Sequence, residues 1–170
     1  MCYPRHVRTD LNDPRFTAAG LFAEAYTGLT NRFAAQFEEH GLSAVEFEVL
    51  LRLARSPGNR LRMTDLAGQT SLSTSGVTRV VDRMDRDHLV RREACASDRR
   101  SSYAVITEAG LRRLEEVLPG HLELVQQWFI GQLPPAQLEQ MLESLRRIRD
   151  AVNPCATAGS AEDESALAAR

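Results

Sequence analysis

The chain contains no lysine: all 21 of its basic residues are arginine. A guanine- and cytosine-rich coding sequence produces that bias by itself, so it is not read as selection for bidentate arginine contacts. Cysteine is scarce too. Cys2, Cys95 and Cys155 are odd in number, far apart and without metal-type spacing, which fits reduced thiols better than a disulfide framework. There is no apolar run of about 18 residues, and the first residues lead into charge rather than an apolar signal core. Neither a membrane span nor export is implied, and a cytoplasmic location is expected. Enzyme signatures are missing as well: no glycine-rich phosphate loop, no His-Glu-x-x-His and no Gly-x-Ser-x-Gly. The four histidines, His6, His40, His88 and His121, have no partner at ligand spacing, and a metal site on Glu24 and His40 would need ligands from elsewhere. Neither catalysis nor a metal or cofactor is therefore expected.

What is present is ordinary in bulk and uneven in detail. The 170 residues are 43% hydrophobic and 26% charged, as in a soluble globular domain, with a formal net charge of -2. Residues 52–113 hold 13 Arg against 7 acids, which leaves 8 Arg against 16 acids elsewhere. A basic lobe inside an acidic remainder can turn one face toward phosphate and the other away from it.

Hydrophobic spacing divides the chain. Residues 1–14 read as an irregular arm. Over residues 15–39, Phe16, Ala19, Phe22, Tyr26, Leu29, Phe33 and Phe37 recur every three to four positions, as in a helix, and His40-Gly41 stops it. Ser43-x-x-Glu46 has the form of a capping box before a densely apolar helix, and Pro57-Gly58-Asn59 turns the chain. Met63–Gln69 reads as a short helix and Thr70 to Ser73 as a turn. Ser73 then caps a second helix with Val77, Val80, Val81 and Met84 inward and Thr74, Ser75, Thr78, Arg79, Asp82, Arg83 and Arg86 outward. Residues 90–95 and Ser102–Ile106 are strands of a hairpin with an arginine-bearing tip. Thr107 caps a long helix, softly interrupted at Pro119-Gly120 and ending near Gly131. Pro134-Pro135 open a last helix striped by Leu138, Met141, Leu142, Leu145, Ile148 and Val152. Residues 153–170 lack aromatics and are expected to be disordered.

The expected fold class is mostly α (α+β): a winged helix-turn-helix over residues 43–106, flanked by long dimerisation helices over 15–42 and 107–152. The stretch RMTDLAGQTSLSTSGVTRVVDRMDRDHLVRR resembles the helix-turn-helix of the multiple-antibiotic-resistance regulator (MarR) family. DRRSSYAVITEAG is similar to that family's wing and its turn into the next helix. Ser71 departs from the pattern, standing where glycine is frequent.

The resemblance implies a homodimer on double-stranded DNA, reading a near-palindromic operator, with the first, fifth and sixth helices interlocked. Ser73, Thr74, Ser75, Thr78 and Arg79 would meet base edges and phosphates, with Arg83 beside them. Arg99 or Arg100 would reach the minor groove, and Asp98 would brace the wing. Arg83 and Arg86 also stand close to Asp82, Asp85 and Asp87, which could hold them in local pairs. A small aromatic or anionic effector is implied, with Arg15, Tyr26, Arg32, Phe47 and Arg52 as candidate contacts. Phe16, Phe33 and Trp128 are further lining residues, although packing accounts for each. The expected function is a ligand-responsive repressor. Two alternatives stay open: a redox sensor, with Cys95 near Arg91, Arg92, Arg99 and Arg100, and a winged helix that binds protein rather than DNA.

Overall fold

Three of the helices stop in the same way, and that repetition shapes the domain. In a computed structural model describing residues 11–95, 101–154 and 156, the first helix, α1 (Pro14–Glu39), ends at Gly41 with φ 68°. There the Gly41 N–H donates to Glu38 O and the Leu42 N–H reaches back to Phe37 O at 2.9 Å. The short helix α3 (Met63–Gln69) ends through Ser71, φ 54°, with Leu72 N–H on Ala67 O. Helix α4 (Thr74–Arg86) ends through His88, φ 59°, with Leu89 N–H on Met84 O. Each is a left-handed residue followed by leucine, and the leucine folds back onto its own helix and into or against the core. Glycine fills the left-handed position once only. Ser71 and His88 carry a Cβ there, at a cost on the order of 1 kcal/mol each.

Starts are equally local. Asp13 accepts from the Arg15 N–H at 2.9 Å and Pro14 occupies the first turn of α1. Helix α2 (Ala44–Arg55) opens with the expected capping box: Ser43 Oγ accepts from Glu46 N–H, and the Glu46 carboxylate accepts from Ser43 N–H at 2.8 Å. Ser73 and Thr107 cap α4 and the long helix α5 (Glu108–Trp128) by accepting from Gly76 N–H and Gly110 N–H.

The core lies between α2, α3, α4 and a small sheet. Val49, Leu50, Leu53, Leu66, Val77, Val81, Met84, Val90 and Val117 are all fully buried. The sheet has three strands in the order β1-β3-β2, all antiparallel: β1 (Arg60–Arg62), β2 (Val90–Ala94) and β3 (Ser102–Ile106). Strand β1 is absent from the sequence reading. Three residues are too short a window for alternation to register, and its partner strand lies far downstream.

Helix α5 runs unbroken past Pro119, against the expected interruption there, and a 3-10 turn (Ile130–Gln132) leads to α6 (Pro135–Val152). Its start is wedged against the sheet: a Cβ on Gly110 would lie 2.1 Å from Leu89 O and 2.8 Å from Ile106 Cγ1. Gln36 of α1 donates to Val117 O at 3.1 Å. His121 sits among Phe33, Phe37 and Phe47, with ring centroids 4.7–5.0 Å away, and burial there lowers its pKa toward the neutral form.

The apolar stripes of the two outer helices have little to pack against within one chain. Phe16, Leu21, Phe22 and Tyr26 of α1 are 57–64% exposed, Ile148 and Val152 of α6 are 56% and 76% exposed, and no residue of α6 is buried. The α6 end nonetheless touches the helix-turn-helix, since Asn153 Nδ2 donates to Ser71 Oγ at 3.1 Å. Among the described residues, no helix is long and apolar enough to cross a membrane.

Candidate nucleic-acid interface

Helix α4 presents one polar face because the other is fully used. Val77, Val81 and Met84 are buried at i, i+4 and i+7, so Thr74, Ser75, Arg79, Asp82, Arg83 and Arg86 stand in solvent, with Thr78 half-buried at the margin. The N-terminal turn is closely tied. Ser73 Oγ caps the helix and lies 3.2 Å from Ser75 Oγ. Thr70 Oγ1 donates to Leu66 O at 2.7 Å and seals the end of α3. Two helices joined by this turn set α4 on the surface of the basic lobe, with Thr74 and Ser75 of its first turn exposed and Val77 buried beneath them.

Ion pairing separates the arginines of the lobe into those already engaged and those available. Arg83 Nε donates to Glu46 Oε1 at 2.7 Å, linking α4 to the start of α2. Glu46 is only 8% exposed. Burial pushes its carboxyl up, but the Ser43 backbone N–H, the Ser43 hydroxyl and the Arg83 guanidinium outweigh that and leave it below the ordinary glutamate value. Arg92 of β2 pairs with Asp82 of α4 at 2.9 Å, which fastens the wing to the helix. Arg91 and Arg60 both pair with Glu93, and Arg86 donates to its own helix at Asp82 O. The expected local pairing with Asp82, Asp85 and Asp87 is therefore not what forms: Arg83 pairs with Glu46 of α2, Arg86 turns to a carbonyl of its own helix, and the Asp82 carboxylate faces Arg92 of the wing.

Arg79 is exposed and, among the described residues, has neither a carboxylate nor a carbonyl partner. It stands one turn into α4, where the sequence reading put the main base-edge contact. Asp98, Arg99 and Arg100, expected at the wing tip, lie outside the described residues. The wing's root is in view: Cys95 N–H donates to Ser101 O at 3.1 Å beyond the last strand pair, Ala94 with Ser102. Cys95 itself is buried at 6% exposure.

The candidate effector contacts are not brought together. Arg15 pairs with Asp13 at the outer end of α1, and Tyr26 is exposed and stacked on Phe22. Arg32 lies over the Trp128 ring at 3.8 Å, Phe47 is buried against Phe37 at 4.2 Å, and Arg52 pairs with Glu48. An open groove of about 680 Å³ near the end of α5 is lined by Leu122, Glu123, Val125, Gln126, Gln127 and Ile130, none of them among those residues. No cluster of His, Cys, Asp or Glu among the described residues has metal-site geometry.

Comparison with known proteins agrees with this architecture. Residues 40–101 match the profile of the MarR family. The chain is similar to AbsC, a MarR family transcriptional regulator from Streptomyces coelicolor, at 36% identity and a TM-score of 0.79, over 84% of this chain and 97% of AbsC. It is also similar to a second MarR family transcriptional regulator from Streptomyces coelicolor, solved in complex with DNA. That likeness has 32% identity and a TM-score of 0.77, over 81% of this chain and 87% of the other. The HTH-type transcriptional repressor YetL of Bacillus subtilis is 33% identical over 89 residues, 52% of this chain and 53% of YetL.

Proposed function

This chain belongs to the MarR family of DNA-binding transcriptional regulators, and from that premise we propose that it is a homodimeric repressor that occludes a near-palindromic operator. The observation that carries the reading is the state of Arg79. In a lobe where most of the described arginines pair with carboxylates, this one has no partner among the described residues and stands on the exposed face of the helix that follows the turn. Ser73, Thr74, Ser75 and Thr78 surround it with hydroxyl donors suited to phosphate and base edges. Arg99 and Arg100 would add minor-groove contacts from the wing tip, where narrow-groove potential attracts guanidinium groups, and Asp98 would brace that tip.

Dimerisation is supported by the unsatisfied stripes of α1 and α6, which together leave more apolar surface exposed than a stable monomer carries. Repression needs nothing beyond tight occupancy of a promoter, and YetL, similar over 89 residues of the chain, is named a repressor. A small aromatic or anionic effector would act where α1 crosses α5. The support there is the exposed aromatic face of α1 beside Arg32 and Trp128. Burial of Cys95 favours this reading over thiol oxidation, which requires an accessible thiolate.

The test is in vitro selection of duplex DNA followed by binding of Arg79→Ala. Selection should recover two related half-sites about one helical turn apart. The variant should lose roughly 1–3 kcal/mol on that duplex and relax preference at one base pair in each half-site. Failure of the wild-type protein to enrich any duplex would overturn the proposal.

A further inference from the structure

Strand β1 and the outer face of the wing sheet hold a further arginine that, among the described residues, pairs with no carboxylate. In register, Arg62 of β1 lies opposite Tyr103 of β3, with Glu93 of β2 on Tyr103's other side, while Arg60 and Arg91 flank Val105 one rung further from the wing tip. Arg60, Arg62, Arg91, Glu93 and Tyr103 stand on the outer face, covering Val105, because Leu61 and Ala104, between them in sequence, point toward the core. Glu93 pairs with Arg60 and Arg91. Arg62 pairs with no carboxylate among the described residues. Its Nε donates to the Tyr103 hydroxyl at 3.3 Å, and the Tyr103 ring has Arg60 and Arg62 guanidinium carbons 4.9 and 5.8 Å from its centroid.

Position gives that free charge a use. Tyr103 is one residue inside the strand pair that closes on the wing loop, so Arg62 sits at the wing's root, on the rung next to the loop end. It also immediately precedes α3, the first helix of the helix-turn-helix. On the other side of the sheet, Arg92 ties β2 to α4 through Asp82. Arg62 thus stands at the junction of the wing root and the start of the helix-turn-helix, where a duplex read by α4 would bring a sugar-phosphate backbone within its reach. A side chain already held by a hydroxyl and an aromatic ring has less conformational freedom to lose on meeting a phosphate than a free surface arginine.

We propose that Arg62, held in place by Tyr103, is a phosphate-contacting residue that extends the DNA interface from the recognition helix and wing tip onto the wing root. The proposal rests on the DNA-binding reading above and adds to it a contact that carries no base information. It neutralises one phosphate per subunit, whatever the sequence.

The experiment is fluorescence anisotropy across a potassium chloride series with two labelled duplexes, one recovered by in vitro selection and one scrambled. Wild type, Arg62→Ala, Arg62→Gln, Arg62→Lys and Tyr103→Phe are compared, with the thermal transition of each recorded. Removing the charge should flatten the plot of log affinity against log salt by about 0.9 per subunit on both duplexes, so each subunit contributes about threefold less affinity loss between 50 and 200 mM salt. Arg62→Lys and Tyr103→Phe should keep the wild-type slope, with Tyr103→Phe binding more weakly. Arg62→Gln gives the same reading should the alanine variant not fold. A slope equal to wild type in a folded Arg62→Ala or Arg62→Gln variant overturns the proposal, as does a change confined to the selected duplex, which would mark a base contact. If the wild-type protein binds neither duplex, it is the DNA-binding reading itself that falls.

Discussion

Arg83 was expected on DNA and is found on Glu46, and the two roles differ in measurable ways. Its Nε lies 2.7 Å from a carboxylate that is nearly excluded from solvent and that also accepts from Ser43 N–H and Ser43 Oγ, at 2.8 and 2.7 Å. A hydrogen bond to a charged group contributes about 1.5–3 kcal/mol when sheltered. Half of the Arg83 side chain is in water, so screening brings the expectation toward about 1 kcal/mol. Arg83→Ala and Glu46→Gln, with the double variant, should give a coupling of that order in urea unfolding at neutral pH. Glu46 has a lowered folded-state pKa, so its contribution is complete above the unfolded glutamate value of about 4.3 and is lost as pH falls through the folded value. The coupling should therefore hold from pH 7 to about pH 5 and shrink in more acid solution. On DNA, Arg83→Ala and Glu46→Gln should both weaken binding through the setting of α4, and neither should flatten the salt dependence. A slope reduced by about 0.9 in Arg83→Ala, together with wild-type binding by Glu46→Gln, would refute the reasoning and return Arg83 to the phosphates.

Other substitutions test the frame around the interface. Gly110→Ala places a methyl group 2.1 Å from the Leu89 carbonyl and should cost at least about 3 kcal/mol by chemical denaturation; an unchanged midpoint would mean that α5 does not seat where it is described. His88→Gly relieves a left-handed residue with a Cβ and should stabilise by about 1 kcal/mol in the same assay, whereas destabilisation would show that the imidazole makes a contact worth more than the strain. Truncation before Pro134 removes the α6 stripe and should yield aggregated or unfolded chain by size-exclusion chromatography; a soluble folded monomer would contradict the dimer proposal.

Local signals carried most of the fold. Ser43-x-x-Glu46, Ser73 and Thr107 announced three helix starts because each cap is satisfied within three residues, and the face of α4 followed from four apolar positions. What stayed hidden is what depends on distant partners. Nothing near Arg83 foretells Glu46, 37 residues away, and Arg60–Arg62 becomes a strand only because β3 offers it an edge. The repeated ending of a left-handed residue before leucine was legible at His40-Gly41-Leu42, where glycine marks it. It was obscured at Ser71-Leu72 and His88-Leu89, where it does not. The candidate effector residues were chosen by type, and type alone cannot bring Arg15 to Arg52.

The sheet order has a kinetic consequence. Because β3 lies between β1 and β2, β1 has no strand to pair with until β3 is in place, and the Arg62–Tyr103 contact closes a separation of 41 residues. The helix-turn-helix can form its short-range bonds early, while the edge next to it must wait for the hairpin, since loop closure is paid before a distant contact returns anything. The recognition helix is therefore expected to form before the strand at its flank. The Arg62–Tyr103 contact is expected to close late, when the three residues of β1 dock onto the hairpin.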